Sequence, residues 1–242
     1  VSWVLKMPLL DKVVLNKIRE TLVNAFGGEF SEIIIGGAPL NAEVEAFLKR
    51  LKFPLTVGYG MTETAPLISF AHWDKFKSQS CGQVLDGLME VRIASPDGDG
   101  VGEIQVRGEH VMLGYYKNEQ ATKESFTEDG WLRTGDLGTV DADGFIFIKG
   151  RCKTMLLGAS GQNIYPEELE DKLNNLEGVI ESIVVERDGK LVGLVYPDLT
   201  VAEKLGISAD ELMKQNIQKL NKVVPSFCHL SKIELMKEEF AK

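Results

Sequence analysis

The chain has 242 residues, 44% of them hydrophobic, and a formal net charge of −9. This composition supplies enough apolar side chains for a packed core and is not that of a disordered chain. The net negative charge argues against a general surface for nucleic acid or for anionic membranes, because a negative field repels both.

Cysteine spacing and hydropathy further limit the kinds of protein to which this chain can belong. Cys81, Cys152 and Cys228 are widely spaced and form no Cys-x-x-Cys pair, which indicates a reducing cytoplasm and argues against structural zinc. We expect no transmembrane segment and no signal peptide, since no apolar run reaches the required length. The chain begins with Val1 rather than Met, so we expect a piece of a longer protein.

The first predicted element is an amphipathic helix. Asp11 is a candidate N-cap for it, and Gly27 and Gly28 would end it. Its apolar face would be formed by Leu15, Ile18, Leu22 and Phe26.

A strand, a helix and a second strand follow, an order typical of a parallel α/β layer. Residues 33–35 and 55–57 are the two strands, and Asn41 is a candidate cap for the helix between them. Core spacing in this helix is shown by Val44, Phe47, Leu48 and Leu51. Ligands bind beyond the carboxyl ends of such strands, so residues 36–39 and 58–63 are candidate binding loops.

From about Ser80 the hydrophobic period changes to two, which predicts short strands in a small barrel or sandwich. We assign residues 1–78 to the α/β layer and residues 79–150 to a β-rich subdomain of the same large domain. The predicted strands lie at residues 88–94, 102–107, 137–141 and 145–149.

Residues 150–170 separate the predicted short strands from a new predicted helix, and we place a domain boundary after residue 150. Pro166 would open a helix with two acids in its first turn. An ordinary hairpin leading into a helix is the alternative interpretation of this stretch.

The remaining residues, 151–242, predict a small α+β domain. Asp188 and Gly189 form a two-residue hairpin signal, because both tolerate positive φ. Ser208 with Glu211 is typical of a capping box at the start of a helix.

The densest candidate site is VGYGMTE at residues 57–63. Glycines on both sides of Tyr59 allow a planar ligand to approach the backbone and lie against the ring. The hydroxyl of Thr62 and the carboxylate of Glu63 suit a phosphate oxygen and its Mg²⁺, which prefers hard oxygen ligands. A Gly-rich turn with a capping threonine is the structural alternative.

A second candidate site is WLRTGD at residues 131–136. The carboxylate of Asp136 can accept hydrogen bonds from both hydroxyls of a ribose. A turn aspartate satisfied by local N–H groups is the alternative. We interpret the glycines and tyrosines of residues 102–116 as architectural.

Taken in order, these motifs resemble the adenylate-forming superfamily, which comprises acyl- and aryl-CoA synthetases, adenylation domains of peptide synthetases and beetle luciferases. Within it, Lys153 and the segment GQNIYPEE look most like bacterial long-chain fatty-acid CoA ligases. The resemblance implies an incomplete adenylate-forming fold: α/β plus a β-rich subdomain, with a small C-terminal α+β domain. The motifs that carry it are GGAPL, YGMTE, GEIQVRG, GYY, WLRTGD, GRCK and the loop before PEELE.

The resemblance also implies roles for individual residues. Thr62 would hold the α-phosphate and Glu63 the Mg²⁺, and these two are the catalytic assignments. Asp136 would bind the ribose hydroxyls, with Arg151 near the same sugar. The adenine would be bordered by Gly36, Gly37, Ala38, Pro39, Gly58, Tyr59 and Gly60.

The implied reaction activates a carboxylic acid with ATP as acyl-AMP and transfers the acyl group to CoA, in the cytoplasm. Lys153 would be the hinge between the two half-reactions, and Gly161 would line the CoA channel. The implied ligands are ATP or AMP, Mg²⁺, CoA and a fatty acid, with no nucleic acid. Peripheral membrane contact of the parent enzyme is left open.

The family's phosphate loop, which ends in a lysine, does not occur in this sequence. The family's lysine that contacts the substrate carboxylate, in a Gly-Lys turn, would follow Lys242, and we do not assign this role to Lys242. We therefore expect little or no ligase activity from this chain alone, and exposed apolar surface where the absent part would pack. Two alternatives stay open: an adenylating enzyme that loads an acyl carrier protein, and a non-catalytic nucleotide-binding module.

Overall fold

The computed structural model describes residues 8–38, 40–158 and 161–240. Its contacts divide the chain into two compact units, the first running to Thr134 and resuming at Gly138–Ile148, the second formed by Gly135–Leu137 and the residues from Lys149 onward. Each unit has its own hydrophobic clusters. The predicted domain boundary after residue 150 stays a prediction, since a compact unit need not fold independently.

The first helix, α1, spans Pro8–Ala25. The predicted cap at Asp11 is wrong, because Asp11 lies inside the helix. Its predicted end is confirmed: Gly27 and Gly28 have φ of 89° and 81°, and Gly28 N donates to Val23 O at 2.9 Å.

Strand β1 (Ile33–Ile35) pairs in parallel with strand β2 (Leu55–Val57), with helix α2 (Ala42–Arg50) between them in the chain. Asn41 caps α2, since its side chain accepts from Glu43 N and Val44 N at 3.0 and 3.1 Å. Strand, helix and strand thus form the parallel arrangement that the sequence predicts.

The core face predicted for α2 is partly wrong. Leu51 is buried just past the end of the helix and Leu48 packs beside it, but Val44 and Phe47 are 47% and 45% exposed. The buried residue of this helix is Glu45, whose carboxylate accepts hydrogen bonds from the backbone and side chain of Gln79. The exposed side chains agree with the expectation of exposed apolar surface.

Residues 59–151, most of which belong to the first unit, form two sheets. Strands β3 (Tyr59–Gly60), β4 (Leu67–Phe70) and β5 (Gln83–Val84) form an antiparallel sheet in that order. The second sheet has four strands in chain order, and helix α3 (Glu119–Ser125) lies in the chain between its second and third strands. Its strands are β6 (Met89–Ala94), β7 (Gly102–Gly108), β8 (Leu132–Val140) and β9 (Ile146–Arg151).

One cluster of buried side chains is shared by the two sheets. Tyr59 and Ile68 come from the three-stranded sheet, and Ile104, Leu132 and Ile146 come from the four-stranded sheet. The two sheets therefore pack over a common core, which is the sandwich-like arrangement expected of alternating strands.

The second unit begins with a small hairpin of β10 (Leu156–Leu157) and β11 (Asn163–Ile164), followed by helix α4 (Pro166–Asn174). Strands β12 (Val179–Arg187) and β13 (Lys190–Pro197) are antiparallel, and β14 (Leu230–Leu235) joins β13 in parallel. The intervening helices are α5 (Leu199–Leu205) and α6 (Ala209–Asn221).

The predicted hairpin turn of this unit and the predicted N-cap at Ser208 are confirmed. Asp188 and Gly189 have φ of 52° and 71°, as a two-residue hairpin turn requires. Ser208 caps α6 by accepting from Glu211 N at 3.1 Å. Leu173 from α4 and Leu212 from α6 are buried against Val195 of the sheet, so the unit is an α+β layer.

Within the part of the chain that the structure describes, no helix combines the length and the apolar character needed to cross a membrane.

We expect Gly60→Ala to lower the free energy of unfolding of the first unit by about 3 kcal/mol or more. A Cβ at this position would lie 1.8 Å from the Pro66 carbonyl oxygen, which is backbone and cannot rotate away. Urea denaturation followed by tryptophan fluorescence measures the change, since Trp73 and Trp131 both lie in this unit.

The matched control is Gly98→Ala, where an added Cβ meets nothing within 4 Å. We expect this variant to stay within about 1 kcal/mol of the parent. Equal small effects of both substitutions would contradict the close approach at Gly60.

Candidate functional site

Two loops predicted to bind nucleotide lie side by side in the first unit. They follow β1 and β2, whose parallel pairing continues past the strands as Gly58 N donates to Ile35 O at 2.9 Å. A Cβ on Gly36 would lie 3.4 Å from Gly58 O, and Gly36, Gly37 and Ala38 are exposed. Pro39, the fourth residue of the predicted loop, lies outside the described residues.

Tyr59 is buried, with 7% of its surface exposed, and its ring belongs to the core shared by the two sheets. Its neighbours Gly58 and Gly60 keep the backbone close to the following segment: a Cβ on Gly58 would lie 3.3 Å from Leu67 Cδ2. The adenine contact assigned to Tyr59 stays a prediction, and only the small exposed part of the residue is available for it.

The turn that carries Thr62 and Glu63 is held by Thr64. Residues Thr62–Thr64 form one turn of 3-10 helix, and the buried Thr64 hydroxyl donates to Pro66 O at 2.6 Å while accepting from Met61 N at 3.2 Å. Thr62 is exposed and Glu63 is half-buried. A hydroxyl and a carboxylate are thereby presented next to each other on a short rigid turn.

Glu63 has a partner that sequence reasoning missed. The Tyr115 hydroxyl donates to Glu63 Oε1 at 2.7 Å, and Met112 N donates to Glu63 O at 2.8 Å. Tyr115 belongs to the Gly-Tyr-Tyr motif, which the sequence analysis interpreted as architectural. Glu63 and Tyr115 are 52 residues apart, and no sequence spacing of this length indicates a contact.

The hydrogen bond to Glu63, with burial as a smaller cause, raises the pKa of Tyr115 above its ordinary value. The hydroxyl is therefore protonated and able to donate at neutral pH. Because the folded-state pKa is raised, any stability from this bond is fully present below the ordinary tyrosine pKa and is lost only as the pH rises through the raised value.

In the second unit the structure brings Asp136 and Arg151 together. Arg151 Nη1 lies 3.2 Å from Asp136 Oδ1, and the two side chains are 64% and 10% exposed. Gly135 has a φ of 73°, and its carbonyl accepts from Cys152 N at 2.8 Å, which fixes the backbone beside the pair. The contact between these two predicted ribose ligands agrees with their assignment to one sugar, although the assignment itself stays a prediction.

The other two predicted residues of this unit lie in turns. Lys153 is exposed, in a turn where Thr154 N and Met155 N both donate to Arg151 O. Gly161 has a φ of 83° and donates to Gly158 O at 2.9 Å, and a Cβ on it would meet nothing within 4 Å. Their roles as hinge and channel residue stay predictions.

The donor set of the first unit fits Mg²⁺ but not a metal held by protein alone. Among the described residues, no three His, Cys, Asp or Glu side chains form a metal cluster. Mg²⁺ is commonly bound by one or two carboxylates together with phosphate oxygens and water, so the single carboxylate of Glu63 beside the Thr62 hydroxyl suffices.

A cavity of about 280 Å³ in the first unit contains none of the predicted site residues. Its walls mix aromatic and charged side chains, and the predicted loops are exposed elsewhere. It is lined by Glu45, Leu48, Lys49, Lys52, Phe53, Leu55, Trp73, Asp74 and Phe76.

Comparison with known proteins places the chain in a family. A model of the AMP-binding enzyme family matches residues 8–116. Long-chain-fatty-acid–CoA ligase ACSBG2 of Xenopus laevis is 34% identical over 216 residues, which are 88% of this chain and 29% of that protein. Long-chain-fatty-acid–CoA ligase FadD15 of Mycobacterium bovis is 38% identical over 180 residues, 74% of this chain and 28% of that protein. The chain thus spans less than a third of these relatives.

The fold is shared with a solved structure. ATP-bound MatB from Rhodopseudomonas palustris matches with a TM-score of 0.71 and 28% identity, over 86% of this chain and 42% of that one. This likeness confirms the predicted adenylate-forming fold and its incompleteness relative to the solved chain. Family model, relatives and fold agree: this chain belongs to the AMP-binding, adenylate-forming enzyme family.

Proposed function

We propose that this chain is part of an ATP-dependent acid–thiol ligase that activates a long-chain fatty acid as acyl-AMP and transfers it to CoA. The observation that carries the proposal is the rigid turn presenting Thr62 and Glu63 within a region that matches the AMP-binding family. Two relatives named long-chain-fatty-acid–CoA ligases support the substrate class. The missing phosphate loop supports the further proposal that the chain alone has little activity.

In the first half-reaction, a carboxylate oxygen of the acid attacks the α-phosphorus of ATP and pyrophosphate leaves. Thr62 would donate its hydroxyl to an α-phosphate oxygen, and the exposed backbone at residues 36–38 would border the adenine. Glu63 would hold Mg²⁺, which when bound supplies positive charge to offset that of the phosphates. Catalysis of this kind rests on positioning and charge rather than on a strong base.

The ribose would be bound by Asp136, whose carboxylate can accept hydrogen bonds from two vicinal hydroxyls. Arg151 restrains this carboxylate by the ion pair at 3.2 Å, so less side-chain entropy is lost when the sugar binds. Because Arg151 is well exposed, its guanidinium remains able to reach a ligand atom as well.

In the second half-reaction, the thiol sulfur of CoA attacks the acyl carbonyl carbon, the thiol proton is lost and AMP leaves. Lys153 would act as the hinge residue between the half-reactions and Gly161 would line the CoA channel. The exposed turn of Lys153 and the open space around Gly161 support these roles, since neither position is held by packing. A cytoplasmic location belongs to the same proposal.

Transfer to an acyl carrier protein is separated from transfer to CoA by product analysis. Supplying the protein of the complete reading frame with fatty acid and ATP, and then with either free CoA or a phosphopantetheinyl carrier, should yield thioester only with CoA. Thioester on the carrier alone would replace the proposed acceptor.

We expect Glu63→Gln to reduce Mg²⁺-dependent exchange of pyrophosphate into ATP by about 100-fold or more, because a neutral amide is a poor Mg²⁺ ligand. The exchange is measured with the protein of the complete reading frame. Glu109→Gln removes a similar charge at an exposed position and should leave the exchange unchanged. Unchanged exchange in Glu63→Gln would overturn the assignment of Glu63.

We expect Asp136→Asn to raise the KM for ATP by about tenfold or more, since a hydrogen bond to a charged group contributes about 1.5–3 kcal/mol. The amide replaces one acceptor oxygen by a donor and loses the charge that pairs with Arg151. Asp188→Asn is the control, because it alters an exposed turn whose positive φ asparagine also tolerates. A KM equal to that of the control would remove Asp136 from the nucleotide site.

A further inference from the structure

One segment of the chain forms hydrogen bonds with both the backbone and the side chain of Glu63. Met112 N donates to the Glu63 carbonyl at 2.8 Å, and three residues later the Tyr115 hydroxyl donates to Glu63 Oε1 at 2.7 Å. His110 Nε2 lies 3.0 Å from Leu67 O, so the same segment also follows the chain beyond the turn. The backbone and the carboxylate of Glu63 are therefore both hydrogen-bonded to the same segment.

We propose that Tyr115 is a positioning residue for the Glu63 carboxylate: its hydroxyl engages Oε1 and thereby presents Oε2 toward the metal and phosphates. The proposal rests on the proposed function, in which Glu63 holds Mg²⁺. No other hydrogen bond from the described residues reaches this carboxylate. A carboxylate on a half-exposed side chain otherwise rotates among several orientations, and a fixed one binds a cation at lower entropic cost.

The backbone of Tyr115 is restrained by hydrogen bonds of its own, which limits the positions that its side chain and hydroxyl can take. Tyr115 N donates to Thr122 Oγ1 at 2.8 Å, and the same Thr122 hydroxyl donates to Asn118 O at 2.9 Å. Gly114 has a φ of 148°, and a Cβ on it would lie 2.6 Å from Thr122 Cγ2, so the approach requires glycine. Asn118 also caps α3 by accepting from Ala121 N.

The neighbouring tyrosine shows that this arrangement is specific. Tyr116 is 89% exposed, against 41% for Tyr115, and its ring contacts Lys117, with 5.2 Å between the ammonium nitrogen and the ring centroid. Tyr116 and Glu63, both described residues, share no hydrogen bond. The two adjacent residues therefore form a matched pair in which only one has the proposed role.

The experiment measures Mn²⁺ binding by electron paramagnetic resonance, with a non-hydrolysable ATP analogue present and the protein of the complete reading frame. We expect Tyr115→Phe, which removes only the hydroxyl, to weaken Mn²⁺ binding by about tenfold, the lower end of the usual effect of losing a residue that supports a metal ligand. Tyr116→Phe should bind Mn²⁺ like the parent protein. In pyrophosphate exchange, Tyr115→Phe should need a correspondingly higher Mg²⁺ concentration for half-maximal rate.

A double substitution tests whether Tyr115 acts through Glu63. If it does, Tyr115→Phe combined with Glu63→Gln should bind Mn²⁺ no more weakly than Glu63→Gln alone, because coupled residues are not additive. A purely structural role would lower the melting temperature and leave Mn²⁺ affinity unchanged, and that result would overturn the inference. Additive losses in the double variant would overturn it as well.

Failure of the proposed function has a different signature. A parent protein that shows neither Mn²⁺ binding with the analogue nor pyrophosphate exchange would overturn the ligase proposal. A parent protein that shows both, with Tyr115→Phe indistinguishable from Tyr116→Phe, would overturn only the role of Tyr115.

Discussion

The close approach between Gly60 and the Pro66 carbonyl is the constraint on which the candidate nucleotide site depends. Any side chain at position 60 would overlap this carbonyl, so only glycine lets the chain return on itself within six residues. The hydroxyl of Thr64 then bonds both arms of the return. Because the turn is closed in this way, a short strand-and-turn segment presents the Thr62 hydroxyl and the Glu63 carboxylate next to each other.

Two acids carry the proposed nucleotide chemistry, and each has a different kind of partner. Glu63 accepts a hydrogen bond from a neutral hydroxyl. This bond orients the carboxylate and leaves its negative charge available to a cation. Asp136 is paired with a cationic guanidinium, which offsets its charge and suits a site for neutral sugar hydroxyls. The partner of each carboxylate thus corresponds to the charge of the ligand proposed for it.

Apolar side chains of the α/β layer are exposed, so this layer is incompletely covered. Ile34, Val44 and Phe47 are each about half exposed, around a two-stranded parallel sheet, whereas parallel sheets are usually covered on both faces. The chain spans 29% of one ligase relative and 42% of the ATP-bound MatB chain. A layer of this kind gains stability when further apolar surface covers it, at roughly 25 cal/mol per Å².

Local signals in the sequence determined the elements: Asn41 and Ser208 cap their helices, Gly27 and Gly28 end α1, and Asp188 with Gly189 turns a hairpin. These signals act over a few residues, so spacing and residue type suffice to predict them, and the ordered motifs were enough to indicate the family. Tertiary structure decided which face of α2 is buried, because Gln79 provides hydrogen bonds that make Glu45 an interior residue. It likewise decided the partners of Glu63 and Asp136. Contacts between residues that are far apart in the sequence depend on how the elements pack in the folded chain. Local residue patterns do not contain this information.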